Sequence, residues 1–596
     1  MLWYYFKVTN QEIAELFRNV AAAYSIKNDK KFYFQILAYQ KASETIEAST
    51  SEIQDLYREN KLDTLPGIGA TIKSRLEELF KKGRVSYFES AFKDIPKAVF
   101  ILIKVPSIGP KKAYKLAEKF SLNNPDTAID LLITKAKNHE IAKIPTFGEK
   151  SEQDILTALL EYKEGFGKTT RMVLPFAGEV AQKILDYLKK SPDVIKAVPL
   201  GSLRRMMPTV GDIDIAVATN EPKKAIEHFA NYPYKERVIE KGDASSSILT
   251  SGGRQIDLMV QPIEGFGALL QHFTGSKNHN VRLREHALKI GLSLSERGIK
   301  QLRTKNQELK RYDTEEKFYE ALGMDWIPPE IREDKGEVEL ALKHNLPKLV
   351  ETSDIKGDLH IHSSFPIEPS HDLGNNTIEE MVKKANEYGY EYIGFSEHNP
   401  SVSKHTKNQT YSLIAKRNEN IEQIKSKIKS VRIIKLLETD ILVNGDLAID
   451  SKSLELLDAT IVSIHSSFAT NKKDMTKRAI SGLSHPKAKI LAHPTGRLLN
   501  ERTGYDLDWD LIFDFCSKNN KALEINAWPN RLDLPDPLIK RGIENGVKFV
   551  INTDSHAVDQ MILMKYGVAM ARRGWATKND IINTYKYNDF IKWLKL

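Results

Sequence analysis

Three aspartates stand where strand periodicity can gather them. In Gly211-Asp212-Ile213-Asp214-Ile215 the two acids are two residues apart, so on a strand they share one face. Left unneutralised, such a pair repels. Divalent cations remove the repulsion and give the pair a purpose. A third acid, Asp257, lies in Arg254-Gln255-Ile256-Asp257-Leu258 with apolar flanks. Three carboxylates can hold two cations about 3.5–4 Å apart, one to help ionise an attacking hydroxyl and one to hold a triphosphate. Gly201-Ser202, about ten residues upstream, opens a turn whose amides can bind phosphate oxygens, and Arg205 can neutralise charge on departing pyrophosphate. Asp-x-Asp alone equally describes a surface strand with polar alternation. The upstream Gly-Ser and the later isolated strand acid favour nucleotidyl transfer.

A second constellation occupies the C-terminal part, where nine of the 15 histidines follow residue 359. Asp358-Leu359-His360-Ile361-His362 places two imidazoles on one side of a strand. His398, Glu438, His465, His493, Asp554 and His556 each stand just after a later strand-like run, and Asp372 follows the first, with His371 as its competitor. In a βα barrel the carboxyl ends of the strands converge on one rim, so these residues would meet. Six imidazoles and three carboxylates suit several transition metals, with Zn, Fe or Mn preferred over Ca. One such histidine by itself is more often a core or loop residue; nine such ligand-type residues at successive strand ends argue otherwise. Arg497 and Arg531 are candidate phosphate clamps, each with a surface ion pair as the plain alternative.

A third pattern is repeated. Leu65-Pro66-Gly67-Ile68-Gly69 and Val105-Pro106-Ser107-Ile108-Gly109-Pro110 each read as helix, tight turn, helix. The helix after each turn presents free backbone N–H groups to a phosphate without reading bases. Lys73, Lys111 and Lys112 could add charge. Ordinary helical hairpins are the bland reading; two copies in a basic helical region favour DNA contact.

The elements that must position these residues follow from periodicity. Ile13, Leu16, Phe17 and Val20 recur at helical spacing within 10–62. Over 173–262, three short β-type runs (197–200, 213–218 and 255–260) lie between helical segments. Residues 263–325 read as helices with turns, and 330–352 as a charged linker with one helix. From Asp358 onward, strand-like runs (392–395, 433–437, 459–464, 489–492, 522–525 and 548–551) alternate with helices, the pattern of parallel βα units.

The chain has 596 residues, enough for several domains, and a 41% apolar fraction that rules out wholesale disorder. One cysteine, Cys516, excludes a disulfide scaffold. No apolar run approaches the ~18–20 residues that span a bilayer, and the N-terminal apolar run is too short for a secretory signal, so a cytoplasmic location is expected. Basic residues outnumber acidic ones by seven over residues 1–350 and by two over 351–596. That excess fits a polyanion partner and a solvated surface about equally.

The aspartate constellation resembles the family X DNA polymerases. The stretch from Phe266 to Arg284, FGALLQHFTGSKNHNVRLR, is similar to that family's nucleotide pocket almost throughout. The resemblance implies that Gly201, Ser202, Arg205 and Gly211 contact the nucleotide and that Phe273 and Gly275 lie against its sugar. It also implies that Asn280 faces the base and minor groove and that Arg284 lies near the templating base. His272 stands where the family usually has tyrosine, which leaves sugar discrimination open. The paired turns resemble helix–hairpin–helix motifs, with Ser107 in place of a glycine. Some family members form a Schiff base with 5′-deoxyribose phosphate through a lysine. Arg75 occupies the corresponding position and cannot do so, Lys73 could substitute only with a different orientation, and the matching Tyr39 does not rescue the nucleophile.

The histidine ladder resembles the ligand set of a PHP (polymerase and histidinol phosphatase) domain, a distorted (βα)7 barrel with three metals. It implies attack by activated water on a phosphoester. Together the resemblances imply a multidomain chain: a helical 8-kDa-like DNA-binding domain (1–90), fingers with the second hairpin (91–168), an α+β nucleotidyltransferase palm (169–262), an α/β thumb (263–328), a linker (329–352) and the PHP domain (353–596). They imply Mg²⁺ or Mn²⁺ at the palm and three divalent metals, Mn²⁺, Zn²⁺ or Fe²⁺, in the barrel. The partners implied are gapped or primed duplex DNA and deoxynucleoside triphosphates, for a monomer. The function expected is gap-filling repair synthesis with 3′→5′ exonuclease and 3′-end cleaning, and abasic-site cleavage as a further activity. Two alternatives stand: a polymerase whose barrel is only structural, or a barrel nuclease or phosphatase with a DNA-binding N-terminal part.

Overall fold

The computed structural model describes residues 10–595 except 29, 48–52, 54–56, 58–59, 63–67, 106–107, 164–170, 251–253, 303–307, 469 and 500–503. The chain divides into two compact units, Met1–Thr170 and Arg171–Leu596. The first is all-helical among its described residues. A single apolar core runs from Phe17 through Leu76 to Leu132, across the boundary expected at residue 90. Helices Ala70–Lys82 and Pro110–Lys119 begin alike: their N-caps, Gly69 and Gly109, are both extended, at φ −77° and −73°.

The second unit opens with a small β1 (Met172–Val173) and the helix Leu174–Leu188. Its sheet is built from β2 (Lys196–Pro199), β4 (Ile213–Ala218), β5 (Lys235–Lys241), β6 (Ser245–Thr250) and β7 (Arg254–Gln261), in the order β2-β4-β7-β6-β5; β3 (Thr209–Val210) pairs with β1. Only the β4–β7 pair is parallel, and its register sets Asp214 directly opposite Asp257. Three short strands follow: β8 (Leu292–Ser295), β9 (Gly298–Gln301) and β10 (Leu309–Lys310). The helix-and-turn reading of 263–325 therefore misses a small antiparallel sheet.

Residues 329–352 are not the solvated linker their charge suggests. Ile331, Val338 and Ala341 join Phe318 and Tyr319 in one core. The charges are held inside it: Arg332 ion-pairs with Glu315 at 2.6 Å, and His279 meets Glu337 at 2.7 Å.

The C-terminal barrel consists of β11 (Gly357–Ile361), β12 (Tyr392–Phe395), β13 (Arg432–Lys435) continued by β14 (Glu438–Asp440), β15 (Thr460–Ser463), β16 (Ala488–Leu491), β17 (Ala522–Asn526) and β18 (Lys548–Asn552). All neighbours are parallel. A parallel bridge between Ile361 and Ser555 joins the last strand to the first. Taking β13 and β14 as one interrupted strand gives seven, each followed by a helix. These strands are buried on both faces, which is why they read as apolar runs without alternation. Capping boxes at Thr377/Glu380 and Thr406/Gln409 start the first two outer helices. The last helix, Tyr587–Lys595, carries Phe590 and Trp593 into a core with Leu359, Tyr392 and Val550.

Candidate active sites

In the palm sheet Asp214 and Asp257 are partners on adjacent parallel strands, and Asp212 precedes Asp214 by two residues. Asp257 accepts hydrogen bonds from the Ser247 hydroxyl and, at 3.0 Å, from the Gln255 amide. Burial, then the charges of Asp257 and Asp212, push the Asp214 carboxyl up to about 6. Burial and Asp257 likewise raise Asp212, with Arg171 opposing. Such acids resist ionising together unless cations join them.

Gly201 lies against this group. Its φ of +55° favours glycine, and a Cβ there would stand 2.6 Å from Asp214 Oδ2 and push that carboxylate aside. Ser202 and Arg205 continue the same short turn, the helix Gly201–Arg204 and its cap. Arg205 Nη1 donates to the Thr274 carbonyl at 2.5 Å, and its Nε donates to Glu333 at 3.0 Å. It is thereby tied to the Phe273–Gly275 turn rather than extended toward solvent. Asn280 donates to the His272 carbonyl at 2.7 Å, and Arg284 lies 3.4 Å from the His272 ring. Burial and Arg284 both lower the His272 pKa, favouring the neutral ring. Gly211 sits beside Arg171, whose guanidinium is 3.3 Å from where a Cβ would lie.

At the barrel's carboxyl-end rim, the nine expected ligands come together. Buried Glu438 lies 3.2 Å from His360, 3.0 Å from His398, 3.3 Å from His465 and 2.9 Å from His493. Asp554 lies 3.4 Å from His360 and 3.2 Å from His362. Asp372 spans His398 at 3.1 Å and His556 at 3.3 Å. His371, its competitor, stands between the His398 and His465 rings and 3.4 Å from Asp440. The loop thus brings both neighbours to the cluster.

The donor set fits divalent cations. The Nε2 atoms of His360, His362 and His556 are buried and make no hydrogen bond, although carboxylate oxygens are close. Ligand atoms of His360, His362 and Asp554, and those of His362, His398 and His556, lie within 4.8 Å of one another, close enough to share an ion. Burial opposes ionisation of Glu438, yet the surrounding His398, His360 and His465 hold it well below the usual carboxylate range. Burial, with the neighbouring His398, His556 and His360 rings, carries His362 down to about 3 against the opposing pull of Asp554. His493 and Asp554 both adopt positive φ, at +27° and +58°. Non-glycine residues seldom do, and such strain concentrates at functional sites.

Two carboxylates at this rim escape a reading of the sequence. Glu524 accepts from His360 Nδ1 at 2.7 Å and from the His493 amide at 2.7 Å. Asp440 accepts from His465 Nδ1 at 2.7 Å. Each fixes the ring so that its other nitrogen faces the cluster. The signals were present: Glu524 is a charge inside the apolar run 522–525, and Asp440 shares a strand face with Glu438. Arg497 departs from the clamp expected of it, because it turns inward onto the carbonyls of Arg531 and Leu532. Arg531 does face the cluster, 3.7 Å from Asp554.

Comparison with known proteins finds three matching regions. Residues 8–85 match a helix-hairpin-helix domain, 269–333 the DNA polymerase beta thumb, and 358–527 the PHP domain. Over 590 residues, 98% of this chain and 99% of the relative, the sequence is 33% identical to the DNA polymerase/3′-5′ exonuclease PolX of Bacillus subtilis. The chain belongs to the family X DNA polymerases with a C-terminal PHP domain. A probable phosphatase of Clostridium acetobutylicum is 28% identical over 33% of the chain and 78% of its own length. DNA polymerase lambda of Arabidopsis thaliana is 24% identical over 54% of the chain and 62% of its own length.

The N-terminal unit of this family X polymerase brings Arg75 into an aromatic pocket, its guanidinium 4.2 Å from the Tyr87 ring centre, with Tyr39 and Tyr24 adjoining. A Cβ added at Gly69 or Gly109 would meet nothing within 4 Å, so the folded chain itself does not require glycine there. Lys111 and Lys112 are exposed beside the second turn, and Lys73 is half-buried after the first. Gly67, the first glycine of the first turn, lies outside the described residues. No described helix is long and apolar enough to cross a membrane.

Proposed function

We propose that this chain fills gaps in DNA, adding nucleotides to a primer 3′-hydroxyl at the palm and trimming 3′ ends at the barrel. The observation that carries the polymerase reading is the β4–β7 register, which pairs Asp214 with Asp257 beside Asp212. When bound, a pair of Mg²⁺ or Mn²⁺ ions supplies charge neutralisation and a more acidic attacking hydroxyl. The three aspartates would hold that pair. Ser247 and Gln255 orient Asp257, the Gly201–Ser202 turn offers backbone amides to the triphosphate, and Arg205 holds the Thr274–Gly275 turn where the sugar would lie. His272, flat and neutral, replaces the usual tyrosine there. At the barrel, three divalent ions, Mn²⁺, Zn²⁺ or Fe²⁺, would be shared as His360/His362/Asp554/Glu438, Glu438/His465/His493 and Asp372/His398/His556. Glu524 and Asp440 keep the imidazoles aligned, and Arg531 is placed to meet a phosphate oxygen. The domain limits given by the sequence, the monomeric state and a cytoplasmic location belong to the same proposal.

A gapped-primer assay with Mg²⁺ or Mn²⁺, with and without nucleotides, tests both halves. Lengthening is expected with nucleotides and shortening without them. A chain that does neither would refute the reading.

Two further outcomes follow. Cation binding at the palm should weaken as pH falls through about 6, because a proton on Asp214 competes with the ion. Titration calorimetry of Mg²⁺ at pH 5.5 and 7.5, on a chain with the barrel ligands removed, reads this; equal affinity would count against it. At the helical hairpins, backbone amides and lysines would contact phosphates, so affinity for duplex DNA should fall steeply with salt, by about 0.9 log per log for each phosphate neutralised. A flat response would contradict phosphate contact.

A further inference from the structure

The barrel and the palm are joined through one buried arginine. Arg573 ends the barrel helix Met564–Arg573 and is 4% exposed. Its Nη2 donates to Asp536, on the neighbouring barrel helix Asp536–Glu544, at 3.1 Å. Its Nη1 reaches out of the barrel and donates to the backbone carbonyl of Arg205 at 2.8 Å. The same nitrogen lies 3.2 Å from Glu333 Oε1, which also accepts from Arg205 Nε. Arg205 then passes its Nη1 to the Thr274 carbonyl. Arg204, next in the chain, holds the Thr274 hydroxyl at 2.6 Å and Glu315, while Ser276 donates its amide to the Arg332 carbonyl at 3.1 Å. Two hydrogen bonds therefore separate a barrel side chain from the turn at which the nucleotide sugar is proposed to lie.

The surroundings keep this path rigid. Tyr566, on the same barrel helix, sets its hydroxyl 2.8 Å from where a Gly178 Cβ would stand on the palm helix, and the two regions share one apolar core. Arg572 adds ion pairing to Glu330 at 2.8 Å and a bond to the Val350 carbonyl at 3.1 Å. The polar path also makes chemical sense of the sequence. Met206 takes a left-handed φ of +54°, which turns the chain sharply after Arg205 and aims that carbonyl at the barrel. A carbonyl exposed at such a corner needs a donor, and none comes from the palm's own strands.

We propose that Arg573 is a positioning residue for the polymerase site: the barrel sets the Gly201–Arg205 turn, and through Arg205 the Thr274–Gly275 turn, in the geometry that receives the incoming nucleotide. This rests on the polymerase reading above. The barrel is then a structural part of the palm as well as a site of its own, and the two roles are separable, because Arg573 contacts none of the rim's imidazoles or carboxylates.

The test compares Arg573→Met, Arg573→Lys and Asp536→Asn in the full chain. Arg573→Met should raise KM for the incoming nucleotide about tenfold, with a smaller change in kcat, as expected when a binding turn loses its anchor. Arg573→Lys, which keeps one charged donor, should recover part of that loss. Asp536→Asn should shift KM in the same direction and by less. Exonuclease rate on a single-stranded primer should stay within twofold in all three, reporting an intact barrel. Hydrogen exchange supplies a readout that does not depend on catalysis: amides of 201–206 and 274–276 should lose protection in Arg573→Met while strands 522–526 and 548–552 keep theirs. That measurement still judges the coupling if the wild-type chain extends no primer, an outcome that would sink the polymerase reading alone. Unchanged nucleotide KM with unchanged protection would overturn the proposal. So would parallel loss of both activities and of melting temperature, which would mark Arg573 as general support for the fold.

Discussion

Replacing Asp257 by alanine should lower primer extension by at least about a thousandfold and leave 3′-end trimming intact. The loss follows from placement. Asp257 faces Asp214 across a parallel pair, and Ser247 and Gln255 fix its oxygens. Without it, Asp212 and Asp214 alone would have to hold both ions. Charge stabilisation of several kcal/mol is at stake, and every ~1.4 kcal/mol is a factor of ten in rate. The fold should survive, because the substitution removes a repulsion. Asp257 is among the charges that push Asp214 up to about 6, so its loss brings Asp214 back toward the ordinary carboxylate range. A melting temperature equal to or above that of the wild-type chain, with trimming unchanged and extension gone, is the expected combination. If trimming disappeared as well, the two reactions would not occupy separate sites.

How much of this was legible in the sequence depended on whether the controlling contact was local. Strand parity put Asp212 and Asp214 on one face, and the apolar runs of the barrel announced themselves because both of their faces are buried. Asp257 was legible as the third acid, but its direct pairing with Asp214 was not. It comes from strand order β4-β7, an interior crossover that no local pattern encodes. The hairpin of β5 and β6 escapes the pattern because Lys235–Lys241 flanks Val238-Ile239 with runs of charge on an exposed edge and Ser245–Thr250 begins with three serines. The thumb strands Leu-Ser-Leu-Ser and Gly-Ile-Lys-Gln are too short and polar to stand out.

The residues between 329 and 352 show the opposite error. Their charge density reads as solvated, but Arg332 and Glu337 are fully buried because their partners, Glu315 and His279, arrive from 17 and 58 residues away. An ion pair that is distant in sequence turns a linker's composition into a core's. Glu524 stands out as a charge in an apolar run, but its role does not, since its partner His360 is 164 residues distant. Arg497 was legible as a cation near the rim, but not its direction, which is decided by the carbonyls of Arg531 and Leu532 behind the site.

Replacing His360 and His362 together by alanine should empty the barrel of at least one metal and abolish trimming, again by about a thousandfold, while primer extension persists. Both rings are fully buried, and their Nε2 atoms make no hydrogen bond. Their Nε2 atoms face carboxylates, Glu438 and Asp554 for His360 and Asp554 for His362, with which they would share an ion. His360 is held by Glu524 behind it and meets Glu438 and Asp554 in front, so removing it also loosens a carboxylate that three other imidazoles share. Cation binding at Glu438 should fall because the imidazole nitrogens that would share the ion with it are gone. Metal content measured on the purified double variant gives a readout independent of activity. A graded control comes from Glu524→Gln, which keeps a hydrogen-bonding group but not the charge that sets the His360 tautomer. Its trimming should fall by only ~10–100-fold, the range for groups that orient a ligand without touching the metal. Extension survives in every case because the path from Arg573 to Thr274 runs along the outer helices and never enters the rim. Loss of extension in the double variant, with metal content unchanged, would show that the rim serves the palm rather than a reaction of its own.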